Sequence, residues 1–86
     1  MSERAAPEIL LERVIRAEER ARAARAETKN AREAYNALRA LGVSREEADE
    51  ATGLSKRSAE LQRLNRRYSD AVFAYELAEA WTSRFQ

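Results

Sequence analysis

Residues 41–55, LGVSREEADEATGLS, decide the fold, because they hold both glycines of the 86-residue chain. Glycine readily adopts the left-handed backbone that ends a helix, so Gly42 and Gly53 each predict a helix end. Ser44 and Ser55 follow these glycines, and serine is a preferred N-cap residue at the start of a helix. The stretch therefore predicts a short helix held between two turns.

The chain on either side of this stretch has almost no helix breakers. Its single proline, Pro7, fits the first turn of a helix, where the missing N–H costs nothing. From there Ala, Arg, Glu and Leu continue to the first glycine without interruption. The predicted elements are a helix at about 7–41, a short helix at about 44–52 and a third helix at about 55–84, in a single domain, 1–86.

Both long helices carry a seam of residues at alternating spacings of three and four, which is typical of helices that pack side by side. The first seam consists of Leu10, Val14, Ala17, Ala21, Ala24, Thr28, Ala31, Tyr35 and Leu38. The second consists of Leu61, Leu64, Tyr68, Ala71, Tyr75, Ala78, Thr82 and Phe85. In a folded-back chain, the small middle of the first seam faces the aromatic middle of the second, as close packing requires. We therefore predict an all-α fold, a long antiparallel helical hairpin of coiled-coil type with a short helix in the connection.

A second apolar set, near the chain ends, does not fit these seams. At about 100° per residue, Phe73 and Leu77 lie nearly opposite Tyr75 on the last helix. One hairpin cannot cover both faces, and so many large side chains exceed the usual exposed patch of a monomer. We predict a homodimeric helical bundle with this interface: Ile9, Leu10, Leu11, Val14, Ile15, Phe73, Leu77, Trp81 and Phe85. The alternative is that Ile9, Leu11 and Trp81 wrap their own hairpin.

The composition excludes most site chemistry. The chain has no Cys and no His, which removes disulfides, thiolate ligands, the usual general base and the commonest metal ligand. We therefore expect no catalytic site, no metal and no cofactor. Sixteen basic and fifteen acidic residues leave a net charge of +1, so any binding of nucleic acid must come from local patches. Without an apolar run of membrane-spanning length or an N-terminal apolar leader, we expect no membrane contact and a cytoplasmic protein.

Residues 35–67 read YNALRALGVSREEADEATGLSKRSAELQRLNRR. This segment resembles the trihelical helix-turn-helix of resolvase-type and sigma-factor-type DNA-binding domains. The matching residues are Ala37, Leu38, Arg39, Ala40, Gly42, Ser44, Glu47, Thr52, Gly53, Leu54 and Ser55. The segment departs from that pattern at Ala48-Asp49, where the family has Ile-Ala, and at Ser58-Ala59, where it often has Thr-Val. We expect a small three-helix core made by Leu38, Leu41, Val43, Leu54 and Leu61.

The resemblance implies DNA binding through the last helix. Early residues of a recognition helix reach base edges, so Lys56, Arg57, Ser58 and Glu60 are the expected readers. Arg63, Arg66 and Arg67 are expected to meet phosphates, which fix register without reading sequence. We predict a small dimeric protein that binds double-stranded DNA, a transcriptional or phage/plasmid-type regulator. Four acids on the short helix would repel DNA unless they point away: Glu46, Glu47, Asp49 and Glu50.

Two alternatives remain open. The first is a helical-hairpin module that binds a protein partner and no nucleic acid, such as an adaptor, an antitoxin-like protein or a phage-encoded inhibitor. It accounts better for the acidic short helix and for the two-sided apolar last helix. The second is RNA binding by the basic residues of the first helix, Arg13, Arg16, Arg20, Arg22, Arg25, Lys29 and Arg32. Spacings such as Glu12–Arg16 and Glu18–Arg22 instead favour a solvated surface of paired charges.

The predicted dimer is tested by sedimentation. We expect analytical ultracentrifugation at micromolar concentration to give about twice the 9.8 kDa mass of one chain, because pairing removes the exposed apolar side chains from water. A stable monomer at that concentration would contradict the predicted interface.

Overall fold

The computed structural model describes residues 7–84, and this part of the chain forms three α-helices and no strand. Helix α1 spans Pro7–Ala40, α2 spans Arg45–Thr52 and α3 spans Leu54–Arg84. These ends differ from the predicted ones by one residue at most. The all-α prediction is confirmed.

Helices α1 and α3 pack side by side into a body of 64 × 21 × 15 Å. Thr28 of α1 contacts Arg57 near the start of α3. At the other end, the pKa of the Tyr75 phenol is raised by partial burial, by the neighbouring Glu79 carboxylate and by Glu8 in the first turn of α1. Residue numbers thus rise along one helix as they fall along the other, so the two helices are antiparallel.

The predicted seams lie between these two helices. Ala21 (2% exposed), Thr28 (5%) and Ala31 (7%) are buried, and the other six members of the α1 seam are half-buried. On α3 the seam residues from 61 to 78 are all half-buried. Small side chains at Ala21, Thr28 and Ala31 allow the two backbones to approach closely. The contact of Thr28 with Arg57 places this stretch opposite the first half of α3, before Tyr68 and Tyr75, so the expected packing of small residues against the aromatic middle of α3 is wrong.

The α3 seam ends earlier than expected. Thr82 is exposed, and its hydroxyl donates to the Ala78 carbonyl oxygen of its own helix (2.9 Å). Thr28 and Arg57 are in contact, so the start of α1 at Pro7 lies about level with Ala78, and Thr82 lies about 6 Å beyond it at 1.5 Å per residue. The assignment of Thr82 to the seam is therefore wrong. Phe85, the last predicted seam residue, lies outside the described residues.

A hydroxyl lies at the centre of the hairpin. The Thr28 hydroxyl donates to the Ala24 carbonyl oxygen at 2.7 Å and lies 3.3 Å from the Arg57 carbonyl oxygen on α3. A buried hydroxyl needs a hydrogen-bond partner, and both neighbours here are backbone carbonyls. This polar contact within the apolar seam favours one register of α1 against α3.

Helix α2 is held at both ends as the glycine and serine pattern predicts. The Ser44 hydroxyl accepts from the Glu47 backbone N–H (3.2 Å), which makes Ser44 the N-cap. Gly53 has φ +66°, and its N–H donates to the Asp49 carbonyl oxygen, which ends the helix. Gly42, with φ +89°, also adopts the left-handed backbone expected after α1.

The start of α3 differs from the prediction. Ser55 was expected to be the N-cap, but α3 begins at Leu54 and the Ser55 N–H donates to the Asp49 carboxylate at 2.8 Å. The Gly53 carbonyl oxygen accepts the first helical bond, from the Arg57 N–H. A carboxylate near a helix N-terminus also favours the helix dipole. Asp49 therefore caps α3, and one residue, Gly53, joins the two helices.

The expected small core of five apolar side chains is wrong in one member. Leu41 is 81% exposed, while Leu38, Val43, Leu54 and Leu61 are half-buried. Ala48, which stands where the related pattern has Ile, is fully buried (0% exposed). Leu41 lies after the end of α1 at Ala40, in the turn before α2, and its side chain faces solvent there.

A larger side chain in the centre of the seam tests this packing. We expect Ala21→Leu to lower the free energy of unfolding by about 1–3 kcal/mol, because the added atoms must displace α3. The matched control is Ala26→Leu on the exposed side of the same helix, which should change it by less than about 0.5 kcal/mol. Urea unfolding at one fixed protein concentration measures both. Equal effects of the two substitutions would contradict the close approach of the helices.

Candidate nucleic-acid interface

Helix α3 presents a basic face to solvent on the side away from α1. Its seam residues turn toward α1, so residues about half a turn away point outward. We call the outer face of α3 the exposed set Lys56, Ala59, Arg63 and Arg66, which is followed one turn later on the same face by the exposed acid Asp70. Three of these four residues are cationic. This surface contains three of the residues that sequence analysis assigned to DNA.

Arg57, by contrast, is engaged within the protein. Its Nη1 lies 3.1 Å from the Glu27 carboxylate on α1, and its Nε donates to the Thr52 carbonyl oxygen at the end of α2 (3.2 Å). Arg57 thus joins all three helices at the α2–α3 junction. Its neighbour Ser58 is half-buried. The Arg57–Glu27 ion pair could not be predicted from the sequence, because it depends on the register of α1 against α3.

Glu60 and Arg63 form an ion pair on one helix. The Arg63 Nη2 lies 2.6 and 2.5 Å from the two oxygens of the Glu60 carboxylate. Both side chains are about half-exposed, and such pairs contribute little stability and exchange readily with solvent or with another anion. Lys56, Arg66 and Arg67 form no ion pair with any described residue.

A second basic surface lies in the groove between α1 and α3, on the flank next to the outer face. Four arginines surround a shallow hollow whose other walls are Ala17 and Leu64: Arg13, Arg16, Arg20 and Arg67. We call this hollow the arginine groove. It continues toward the turn past Arg63, Glu60 and Glu27, since Arg20 and Arg67 line both parts.

One of the four acids of α2 is engaged in a hydrogen bond within the protein. Asp49 accepts the Ser55 N–H and is half-buried, so its carboxylate is occupied at the junction. Glu46, Glu47 and Glu50 are exposed. Asp49 stands where the related pattern has alanine, and its hydrogen bond to the Ser55 N–H at the α2–α3 junction explains the acid at this position.

The predicted oligomer interface divides into two groups. Leu10 and Val14 are half-buried in the hairpin's own seam. Six others are exposed by 41 to 64%: Ile9, Leu11, Ile15, Phe73, Leu77 and Trp81. We call these six the apolar end. At about 100° per residue, Leu11 and Ile15 lie on the flank opposite Ile9, so the set wraps around the hairpin. Phe85 lies outside the described residues.

The described part of the chain has neither a metal cluster nor a spanning helix. Within residues 7–84, carboxylates are nowhere gathered in threes as a metal site requires. In that same range, no helix carries an apolar stretch of the length needed to cross a bilayer. The chain matches no protein-family model, no curated protein and no solved structure.

Proposed function

We propose that the protein is a small homodimeric regulator that binds double-stranded DNA through the outer face of α3. One observation carries this proposal: three exposed cations point away from the body of the hairpin, and α1 supports α3 from behind. An α-helix is about 10–12 Å wide, and the major groove is about 12 Å wide. A single supported helix with a basic outer face matches that groove.

The cations of the outer face have different roles in this proposal. Lys56 lies in the first turns of α3 and is the residue best placed to meet base edges. Arg63 and Arg66 lie two to three turns further along and contact phosphates, which position the protein without reading sequence. Arg67 lies beside them on the groove flank.

Arg57 and Glu60 are proposed to contact DNA only after each has released its ion-pair partner within the protein. The side chain of Arg57 is 46% exposed and that of Glu27 is 66% exposed, so their ion pair contributes little and DNA can displace it. Arg57 then turns toward a base while Glu27 is released. Glu60 similarly leaves Arg63 when a phosphate replaces it. Ser58, the remaining expected reader, is half-buried and lies on the other flank of α3 from Lys56.

The dimer is proposed to form at the apolar end. Phe73 is 64% exposed, Leu77 55% and Trp81 48%, and a second copy would remove these side chains from water. A two-fold dimer presents two α3 helices to DNA, and two-fold symmetric operators match such a pair. Ile9, Leu11 and Ile15 of α1 lie on both flanks of the hairpin, so the second copy is proposed to wrap around this end and cover them as well.

A second candidate function is a protein-interaction module that binds no nucleic acid. It is favoured by the continuation of the outer face of α3 from cations into Phe73, Leu77 and Trp81 at about the same rotation about the helix. A partner helix with an apolar stripe would cover this surface. Under this alternative, the apolar end recruits another protein instead of a second copy.

Arg66 tests DNA binding most simply, because it forms no ion pair with a described residue and contacts no other helix in the hairpin seam. We expect Arg66→Ala to weaken binding to all duplexes alike and to flatten the dependence of log K on log salt by about 1. Fluorescence anisotropy of a labelled duplex, repeated across salt concentrations, measures both effects.

The matched control is Arg32→Ala, which removes one exposed arginine from the flank of α1 opposite the arginine groove. We expect it to leave the salt slope unchanged. Absence of binding by the wild-type protein at low salt would contradict the proposed function and favour the protein-interaction module.

A further inference from the structure

The arginine groove gathers like charges in one place. Its lining contains four guanidinium groups, no carboxylate and two apolar residues, Ala17 and Leu64. The whole chain has a net charge of only +1, so this hollow gathers positive charge that is balanced elsewhere. Like charges held together repel one another, and their repulsion is relieved when an anion binds between them.

The guanidinium groups of the groove form no ion pairs within the described part of the chain. The i,i+4 spacing predicts pairs Glu12–Arg16 and Glu18–Arg22 on α1, but among the described residues only Glu18–Arg22 forms, at 2.8 Å. Arg13, Arg16, Arg20 and Arg67 have no ion pair with any described residue. Of the pairs expected on this helix, Glu18–Arg22 is therefore confirmed, and the arginines that line the groove are exposed without an ion pair to a described residue.

The groove is a product of the hairpin register and not of one helix. Arg13, Arg16 and Arg20 share one flank of α1, and Arg67 meets them only because α3 runs antiparallel at this level. The apolar floor keeps the aliphatic parts of the arginines in contact with protein and their charged heads in water. Arg67 and Arg63 connect the groove to the outer face of α3 through the adjoining hollow.

The spacing fits a row of phosphates. Arg13 and Arg20 are seven residues apart, which is about 10 Å along α1. The phosphates of one DNA strand follow one another at an axial step of about 3.4 Å, so a row of arginines of this length can reach more than one phosphate of a strand that runs beside it. Arginine binds phosphate with two parallel hydrogen bonds, which lysine cannot match.

The dimensions of the hairpin also favour contact of α1 with the DNA sugar–phosphate backbone and not with the bases. Here α1 and α3 lie together in a body 21 Å wide and 15 Å thick, whereas the major groove is about 12 Å wide. The paired helices cannot enter it side by side. The flank that carries Arg13, Arg16 and Arg20 can therefore reach only the rim of the groove, where the phosphates lie.

We propose that the arginine groove binds the sugar–phosphate backbone of the same duplex that the outer face of α3 engages. The DNA footprint then extends from α3 across to α1, and Arg13, Arg16, Arg20 and Arg67 are its phosphate contacts. This inference rests on the proposed DNA binding and adds a helix that the helix-turn-helix resemblance does not include.

Two charge-matched variants test the groove. The groove variant carries Arg13→Gln, Arg16→Gln and Arg20→Gln, and the flank variant carries Arg25→Gln, Lys29→Gln and Arg32→Gln. Both remove three exposed cations from α1 and change the net charge from +1 to −2 (1 − 3). Glutamine is close to arginine and lysine in helix propensity, so both variants are expected to fold. Circular dichroism and sedimentation verify this before binding is measured.

We expect the groove variant to bind a labelled DNA duplex about tenfold more weakly at physiological salt. The slope of log K against log salt should flatten by about 2.7, which is 0.9 for each of three lost phosphate contacts. The flank variant should keep a slope within about 1 of the wild type, since its cations lie on the other side of α1.

The outcomes separate this inference from the proposed function. Equal losses in both variants would reveal a general charge effect and overturn the groove. An unchanged slope in the groove variant, with a flattened slope for Arg66→Ala, would overturn the groove and leave DNA binding by α3 in place. A loss in the groove variant with no effect of Arg66→Ala would support the groove and contradict the proposed docking of α3.

A duplex RNA of the same length distinguishes the source of the phosphates. Tighter binding to RNA than to DNA, lost in the groove variant, would overturn DNA as the occupant of the groove. No binding of either duplex by the wild-type protein would overturn both the groove and the proposed function.

Discussion

The close approach of α1 to α3 at Ala21, Thr28 and Ala31 is the constraint on which the rest of the molecule depends. These side chains are small, so the first half of α3 packs close to the α1 backbone and the two helices adopt one register. The Thr28 hydroxyl, between the Ala24 and Arg57 carbonyl oxygens, adds a polar contact at one defined level. The arginine groove and the junction at Arg57 follow from that register, because each joins residues of α1 and α3.

The junction between α2 and α3 shows how local chemistry serves this arrangement. One glycine in the left-handed backbone connects two helices, and the Asp49 carboxylate caps the second from within the first. Arg57 then ties the junction to Glu27 of α1. The Asp49 cap sets the residue at which α3 begins. With that start, the seam of α3 faces α1 and its outer face points to solvent. The same outer face carries cations near the junction and apolar side chains near the chain ends.

The sequence predicts the parts of this structure that depend on local spacing. Alternating steps of three and four identify the seams, and Gly42 and Gly53 identify the turns, because both signals act within one or two helical turns. Contacts between distant segments were missed. The exposure of Leu41, the capping role of Asp49 and the Arg57–Glu27 pair all depend on how the helices meet. The arginine groove is missed for that reason, since Arg67 joins Arg13, Arg16 and Arg20 only across the hairpin.

The most direct test of the account is a nuclear magnetic resonance titration of the protein with duplex DNA, following backbone amide and arginine side-chain signals. The account predicts shifts in one continuous band, at Lys56, Arg63 and Arg66 on α3 and at Arg13, Arg16, Arg20 and Arg67 in the groove. Signals from Arg25, Lys29 and Arg32 should remain in place. Shifts confined to the apolar end, or no shifts at low salt, would contradict DNA recognition by the basic surface.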